Sequence, residues 1–264
     1  MSSVSEGSLD RVLEHEAGDL TCTVEAKIRL SALREVLAPH GQMLALDPPG
    51  DPTVGACLAA NLSGPRRHRY GTMRDLVIGA TVVLPDGTVA SSGGKVVKNV
   101  AGYDLAKLFC GSQGRLGRIV RVSLRLHPAP EASATVTAPA EAARAFAVLR
   151  SGLVPSAVDV HWPERLALLF EGSERAVAAQ LAAARELIRA EPAGDEVWAE
   201  AAERQAAANG RLSFAPGTLA EVLAGEDEAV VRVAAGVAYV PHEVPDPRDP
   251  AEIALVERIE AAFA

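Results

Sequence analysis

Two stretches of small residues could bring a ligand close to the protein backbone. Thr53-Val54-Gly55 follows Asp51-Pro52, a pattern typical of a helix start. The free N–H groups at a helix N-terminus and the helix dipole both favour phosphate. The first stretch therefore predicts an anion-binding helix start. The second stretch holds Gly111, Gly114 and Gly117 just before a predicted strand.

The context of the second stretch differs from that of a Rossmann fingerprint. A Rossmann glycine loop follows a strand and opens a helix, whereas these glycines precede a strand. Glycine is also the ordinary residue of tight turns. The glycine pattern therefore leaves two interpretations open: simple turns, or a backbone that approaches a ligand closely.

Catalytic and metal-binding patterns are missing from the sequence. The six histidines are scattered, and no Ser/His/Asp or paired-carboxylate arrangement can be recognised from spacing. The three cysteines, Cys22, Cys57 and Cys110, form no CxxC pair, which argues against a zinc or iron–sulfur site and against a disulfide framework. We therefore predict no catalytic residue and no metal ligand in this chain.

Composition excludes several other classes of protein. The 264 residues are 48% hydrophobic but only 4% aromatic, so few rings are available to stack on bases or on a flavin. The net charge of −8 argues against nucleic-acid binding. Neither a long apolar run nor a secretory signal is present. We expect a cytoplasmic protein, or one that its partners hold at the inner face of the membrane.

A change in composition, from glycine-rich to rich in alanine, glutamate and arginine, predicts two domains, residues 1–128 and 129–264. They are called the first and second halves. The junction at residues 126–131 carries two prolines and no periodicity. The first half alternates short strands with helices, and a Pro-Asp-Gly turn at residues 85–87 predicts a hairpin. The second half is predicted as strand, helix, two strands, helix and strand, a split βαβ arrangement, with a final helix at residues 250–263.

Other polar and aromatic groups have alternative interpretations. Arg66-Arg67-His68-Arg69 is either a solvated loop, a phosphate contact or a docking patch for another subunit. Lys95 and Lys98 could face an anionic substrate or simply lie at the surface. Trp162 and Trp198 are predicted to anchor the second half.

In combination, the motifs of the first half resemble the FAD-binding domain of the vanillyl-alcohol-oxidase and p-cresol-methylhydroxylase (PCMH) type. The resemblance is strong over residues 9–130 and weaker beyond. The form that the family motif takes at residues 93–107 is most similar to that of the FAD-binding E subunits of bacterial glycolate oxidases. The matching residues are Asp47-Pro-Pro, Thr53-Val-Gly55, Ala60-Asn-Leu-Ser-Gly64, Tyr70-Gly71, Arg74-Asp75-Leu-Val-Ile-Gly79, Leu84-Pro-Asp-Gly87, Gly93-Gly-Lys-Val-Val-Lys-Asn-Val-Ala-Gly-Tyr-Asp104 and Gly111-Ser-Gln-Gly114-Arg-Leu-Gly117-Arg-Ile119.

This resemblance implies an α+β fold, with the second subdomain of a PCMH-type FAD-binding domain (a mixed sheet with flanking helices) followed by a small α+β cap. It also implies contacts to FAD at the pyrophosphate, the flavin edge and the adenine or ribose end. The implied cofactor-binding residues are Asp47, Pro48, Pro49, Thr53, Val54, Gly55, Asn61, Gly64, Gly114, Gly117 and Ile119.

The sequence departs from the family in two respects. It lacks the Pro-x-Gly-Gly-Gly-Thr pyrophosphate loop of the family's first subdomain, and residues 9–19 already match the segment that leads into the second. Gln113 and Arg115 stand where Glu and Thr are usual, and Lys27 where Gly is usual. We therefore expect an incomplete cradle that does not bind FAD tightly by itself.

The resemblance implies a place in a complex that oxidises glycolate to glyoxylate. The substrate site would lie in a D-type flavoprotein partner, and electrons would pass to an iron–sulfur subunit. Two alternatives remain: a cofactor-free assembly subunit of such a complex, and an independent flavin enzyme, against which the missing His-x-Gly-Asp-Gly-Asn-x-His motif counts. The sequence does not identify the 2-hydroxy acid.

Overall fold

A computed structural model describes residues 9–93 and 106–245 together with Ala254, Glu257, Arg258 and Ala261. Within these residues the chain forms two large antiparallel sheets, each with helices against it, and a third sheet of two strands. Much of the glycine-rich motif at residues 93–104, with Lys95 and Lys98, lies outside the described residues. Of the predicted helix at residues 250–263, only those four residues are described, and all are helical and exposed.

The first half contains seven strands and five helices among its described residues. The strands are β1 (Val12–Glu16), β2 (Thr21–Glu25), β3 (Gln42–Met43), β4 (Val77–Val83), β5 (Val89–Gly93), β6 (Arg118–Arg125) and β7 (His127–Pro128). The helices are α1 (Leu30–Leu37), α2 (Val54–Ala60), α3 (Arg67–Tyr70), α4 (Met73–Leu76) and α5 (Ala106–Phe109).

The larger sheet of the first half has the strand order β1-β2-β6-β4-β5, and all its pairs are antiparallel. The expected mixed sheet is therefore wrong in its strand directions. The reason is local: Gly87 donates to the Leu84 carbonyl in the predicted turn, so β4 and β5 form a hairpin. β6 then lies between β2 and β4 and runs opposite to both. Parallel neighbours would need longer crossover connections.

The second half forms one seven-stranded sheet among its described residues, of order β11-β8-β10-β9-β13-β14-β12. Its strands are β8 (Ala132–Pro139), β9 (Ala157–Trp162), β10 (Arg165–Gly172), β11 (Glu191–Ala193), β12 (Gly210–Ser213), β13 (Ala229–Arg232) and β14 (Val237–Val240). Its helices are α6 (Ala142–Leu149), α7 (Glu174–Ile188), α8 (Glu196–Ala206) and α9 (Leu219–Gly225).

The predicted split βαβ arrangement is confirmed in the second half. β10 pairs with both β8 and β9, so it lies between the two strands that α6 connects. The sequence analysis did not predict β1, β11, α8 or α9. α8 carries mostly charged residues and alanines, which weakens the apolar periodicity that would reveal a helix.

Each sheet has its own hydrophobic core. In the first half, α1, α2 and α4 contribute Leu33, Leu58 and Met73 to a cluster with sheet residues. In the second half, Leu166, Leu168 and other apolar residues of β10 pack against α6, α7 and α9. The opposite face of the second sheet bears polar residues and faces α3 and α8. That face therefore lies where the two halves meet.

Candidate functional site

The proline-rich segment at residues 47–53 is tied down at its far end by Asp51. One carboxylate oxygen of Asp51 accepts from the Ser31 amide at 2.9 Å, and the other accepts from the Ser31 hydroxyl at 2.7 Å. These hydrogen bonds lower the pKa of Asp51. Within the segment Pro48 is buried and Pro49 is half-buried. The loop therefore follows a fixed path toward α2.

The start of α2 is satisfied by the protein itself. The Val54 amide donates to the Ile28 carbonyl at 2.9 Å, and the Gly55 amide to the Ala26 carbonyl at 2.7 Å. The Thr53 hydroxyl accepts from the Ala56 amide at 3.2 Å, as a helix cap does. A Cβ on Gly55 would lie 2.8 Å from the Ala26 carbonyl oxygen. These amides already have partners, which corrects the expectation that they present free donors to a pyrophosphate.

The other end of α2 brings two predicted site elements together. Asn61 ends the helix in the left-handed conformation, and its side-chain oxygen accepts from the Arg74 amide at 3.1 Å. The amides of Gly111 and Gln113 donate to carbonyls of the last turn of α2 at 3.0 and 2.8 Å. The loop that carries Gly114 is therefore fastened beside Asn61, although about fifty residues separate the two in sequence.

Asp47 and Gly64, two further predicted cofactor-binding residues, contact each other. The Asp47 carboxylate accepts from the Arg66 amide at 3.2 and 3.1 Å. Gly64 packs directly on the Asp47 backbone, and a Cβ at Gly64 would collide with the Asp47 carbonyl oxygen. Burial raises the pKa of Asp47, and the positive charge of Arg66 opposes that rise. Asp47 and Gly64 thus form one packed unit that requires glycine.

Gly117 and Ile119 lie with the sheet rather than at the end of α2. A Cβ on Gly117 would be 2.9 Å from the Val83 carbonyl oxygen at the end of β4. Ile119 lies on β6, opposite Val82, and is half-buried. The structure shows backbone packing for these two residues, and their contact with a cofactor stays a prediction.

The basic cluster at residues 66–69 contacts the second half. Arg66 donates to a Glu171 carboxylate oxygen through Nη2 at 2.7 Å and Nε at 3.0 Å. Arg69 donates to the Glu171 carbonyl at 3.3 Å, and Arg67 donates to the Ser63 hydroxyl at 3.1 Å. The interpretation as a solvated loop is therefore wrong for Arg66, which joins the two halves.

The polar face of the second sheet holds buried charged residues that the sequence analysis did not single out for a site. Asp159 and Arg232 form an ion pair between neighbouring strands, and each side chain is at most 2% exposed. Burial lowers the pKa of Arg232 to about 10. Burial likewise lowers the pKa of His161, on the same face, to about 4. The alternation of apolar and polar residues in Ala157-Val-Asp-Val-His161 was the available signal of a polar face.

A cleft of about 320 Å³ lies between this face and the first half, beside the contacts that join them. Asp47, Pro65 and Arg66 line one side, and Ser133, Leu169 and Trp198 line the other. The Trp198 indole donates to the Thr135 hydroxyl at 2.8 Å, and the Trp162 indole donates to a backbone carbonyl of the second half at 2.8 Å. Both tryptophans therefore serve as the predicted anchors of the second half.

No metal centre is found among the described residues: no three histidine, cysteine, aspartate or glutamate side chains there come together as a binding group. In the same parts of the chain, no helix combines the length and the apolar character needed to cross a bilayer.

Comparison with known proteins shows that the first half is similar to FAD binding domains. Residues 3–93 match the model of a family described as "FAD binding domain". The glycolate oxidase subunit GlcE of Escherichia coli is 32% identical over 200 residues, which cover 74% of this chain and 56% of that protein. Since the first half is shorter than this match, the similarity reaches into the second half.

The matches to two further relatives cover a smaller share of those proteins. The mitochondrial D-lactate dehydrogenase [cytochrome] 1 of Saccharomyces cerevisiae is 33% identical over 60% of this chain and 27% of its own. The glycolate oxidase subunit GlcD of Bacillus subtilis is 36% identical over 49% of this chain and 28% of its own. The chain thus spans between about a quarter and a little over half the length of these curated relatives.

A solved structure of alkyldihydroxyacetonephosphate synthase shares the fold. It superposes on 97% of this chain and 61% of its own with a TM-score of 0.66 at 17% identity. This superposition confirms the predicted α+β fold. The predicted cofactor, FAD, is supported by the family match over residues 3–93.

Proposed function

We propose that this chain, whose residues 3–93 match a family of FAD binding domains, is the flavin-binding subunit of a complex that oxidises a 2-hydroxy acid, of the glycolate oxidase type. The observation that carries this proposal is the match to GlcE, which extends over both halves of the chain. The match to GlcD supports a D-type flavoprotein as the partner.

The described residues fit FAD at one end of α2 rather than at the other. At the helix start, the amides of Val54 and Gly55 already have carbonyl partners. At the helix end, Gly114 is exposed at φ +78°, and nothing lies within 4 Å of the position of a Cβ. A cofactor can approach such a backbone closely. We therefore assign the nearest contact to Asn61 and Gly114.

The remaining predicted residues shape the walls of the site. Asp47 lines the cleft and packs against Gly64, and the buried Pro48 and half-buried Pro49 follow it. Thr53, Val54 and Gly55 fix α2 through the contacts described above. Gly117 and Ile119 lie where the glycine loop leads into β6.

FAD, when bound, supplies a group that receives electrons and passes them on. The residues of this chain position that group. We assign catalysis to the D-type partner and the onward electron path to an iron–sulfur subunit, with the assembled complex in the cytoplasm or held at the membrane by its partners.

The experiment is flavin analysis of the full chain, alone and co-expressed with a D-type flavoprotein and an iron–sulfur protein. We expect the complex to show flavin absorbance bands and to release FAD in proportion to this chain on denaturation. A variant that fills the approach at the helix end, Gly114→Val, should lose this FAD. Gly87→Val is the matched control, because Gly87 also has a positive φ, +84°, and nothing within 4 Å of a Cβ, but lies in the turn between β4 and β5.

A second candidate is a cofactor-free assembly subunit of the same complex. The internally satisfied amides at the start of α2 favour it, because they leave no free donors there for a pyrophosphate. A colourless chain that assembles with its partners and takes up no added FAD would establish this alternative and overturn the flavin-binding proposal.

A further inference from the structure

Glu171 is a buried carboxylate that reaches from the second half into the proposed flavin site. Its side chain is 1% exposed, and one carboxylate oxygen accepts both Arg66 hydrogen bonds. A charge buried to this extent costs free energy unless it is paired. The position of Glu171 is therefore tied to that of Arg66.

Arg66 transmits this contact to Asp47. Its backbone amide donates to both oxygens of the Asp47 carboxylate, and its Nη1 lies 3.9 Å from one of them. One residue thus links a carboxylate of β10 with a carboxylate of the proline-rich loop. Displacement of the Arg66 side chain would move the backbone that carries its amide.

Gln205 makes a second, independent contact with the same turn. Its side-chain nitrogen donates to the Ser63 carbonyl at 3.3 Å, and its side-chain oxygen accepts from Arg232 at 2.6 Å. Arg232 is itself held by Asp159 on the polar face. The turn at residues 63–66 is therefore fastened at both ends by the second half.

Gly64 lies between these two fastenings. Its backbone packs on the Asp47 backbone so closely that no Cβ would fit. Such close packing tolerates little displacement of the turn. The contacts of Ser63 and Arg66 with the second half hold the turn in this position.

We propose that Glu171 is a positioning residue for the proposed flavin site, which it shapes by holding the turn at residues 63–66 against Asp47 through Arg66. This inference rests on the proposed function. It assigns a role in the site to a residue 78 positions beyond the end of the matched family segment at residue 93.

Three variants of the full chain test this role. Glu171→Gln keeps the shape and removes the charge, and Glu171→Asp keeps the charge. Glu200→Gln is the matched control, because Glu200 pairs with Arg165 at 3.2 Å in the same half but is 52% exposed. Far-UV circular dichroism and thermal melts establish which variants are folded.

The first readout is hydrogen exchange without FAD at the amides of Arg66, Arg67 and His68, which are hydrogen-bonded in the turn. We expect exchange about tenfold faster in Glu171→Gln, with recovery toward wild type in Glu171→Asp and no change in Glu200→Gln. The second readout is FAD titration, in which Glu171→Gln should raise the Kd about tenfold, a usual size for coupling between sites.

The outcomes separate this inference from the proposed function. FAD titration is therefore done on the chain assembled with its partners. If that wild-type complex binds no FAD to this chain, the proposed function fails, while the exchange readout still tests whether Glu171 holds the turn. Unchanged exchange in a folded Glu171→Gln overturns the inference. Faster exchange with an unchanged FAD Kd reduces Glu171 to a structural contact and also overturns it. Should Glu171→Gln not fold, Arg66→Lys carries the same two readouts, because it removes the paired Nε and Nη2 hydrogen bonds to Glu171 and keeps the backbone amide.

Discussion

The guanidinium of Arg66 lies 2.7 Å from the carboxylate of Glu171, although the two residues are 105 positions apart in sequence. Arg66 follows the segment that carries Asn61 and Gly64, and Glu171 is the penultimate residue of β10 in the second sheet. The pair therefore connects the predicted cofactor segment with the half that the family model does not match. Stability and cofactor binding in this chain should both depend on that connection.

Gly64→Ala is expected to destabilise the protein by about 3 kcal/mol, since the new Cβ collides with the Asp47 backbone. Gly217→Ala is the matched control, because Gly217 has nothing within 4 Å of a Cβ, and we expect a change of less than about 1 kcal/mol there. Urea unfolding measures both free energies. Equal effects of the two substitutions would contradict the close packing of Gly64 on Asp47.

Asp159→Asn is expected to cost about 3–5 kcal/mol of unfolding free energy, since it leaves the charge of Arg232 buried without its carboxylate. Asp227→Asn changes the same atoms at an exposed position of the second half and should stay within about 0.5 kcal/mol of wild type. Chemical denaturation compares the two. A loss below about 1 kcal/mol at Asp159 would show that the pair adds little.

Acid should destabilise the protein through His161. Burial depresses the pKa of this imidazole in the folded state to about 4, against an ordinary value of 6.5. The folded state therefore binds fewer protons, and the stability is complete above about pH 6.5 and falls as the pH drops toward 4. The expected loss is on the order of 3 kcal/mol.

His161→Gln should flatten this part of the pH profile, as measured by urea unfolding at several pH values. His242→Gln is the control, because the His242 side chain is 55% exposed. The prediction fails if His161→Gln and wild type lose stability in parallel between pH 6.5 and pH 4.

The cysteines should be slow to react in the folded protein. Burial raises the pKa of the Cys22 and Cys57 thiols to about 12 each, and that of the half-buried Cys110 thiol to about 11. The thiolate is the reactive form, so little of it exists near neutral pH. Iodoacetamide labelling followed by mass spectrometry should find Cys110 modified before the other two, and all three modified in urea. Rapid labelling of Cys22 or Cys57 without denaturant would contradict their burial.

Local features of the chain were predictable from the sequence because short-range rules decide them. The Thr53 cap, the turn before Val89 and the strands on either side of Trp162 follow from turn chemistry and periodicity. The glycine and proline motifs were specific enough to predict the similarity to FAD binding domains that residues 3–93 show. In contrast, α8 was not predicted, because its charged and alanine-rich sequence has a weak apolar pattern.

Only the tertiary structure decided which groups are available at the site. Sequence rules predict free amides at the start of a helix, but carbonyls from a distant loop occupy those of Val54 and Gly55. A cluster of arginines predicts a charged surface, but Arg66 is paired with a carboxylate of another sheet. A residue's type fixes what it can donate or accept, whereas its partner depends on which segments the folded chain brings within hydrogen-bonding distance.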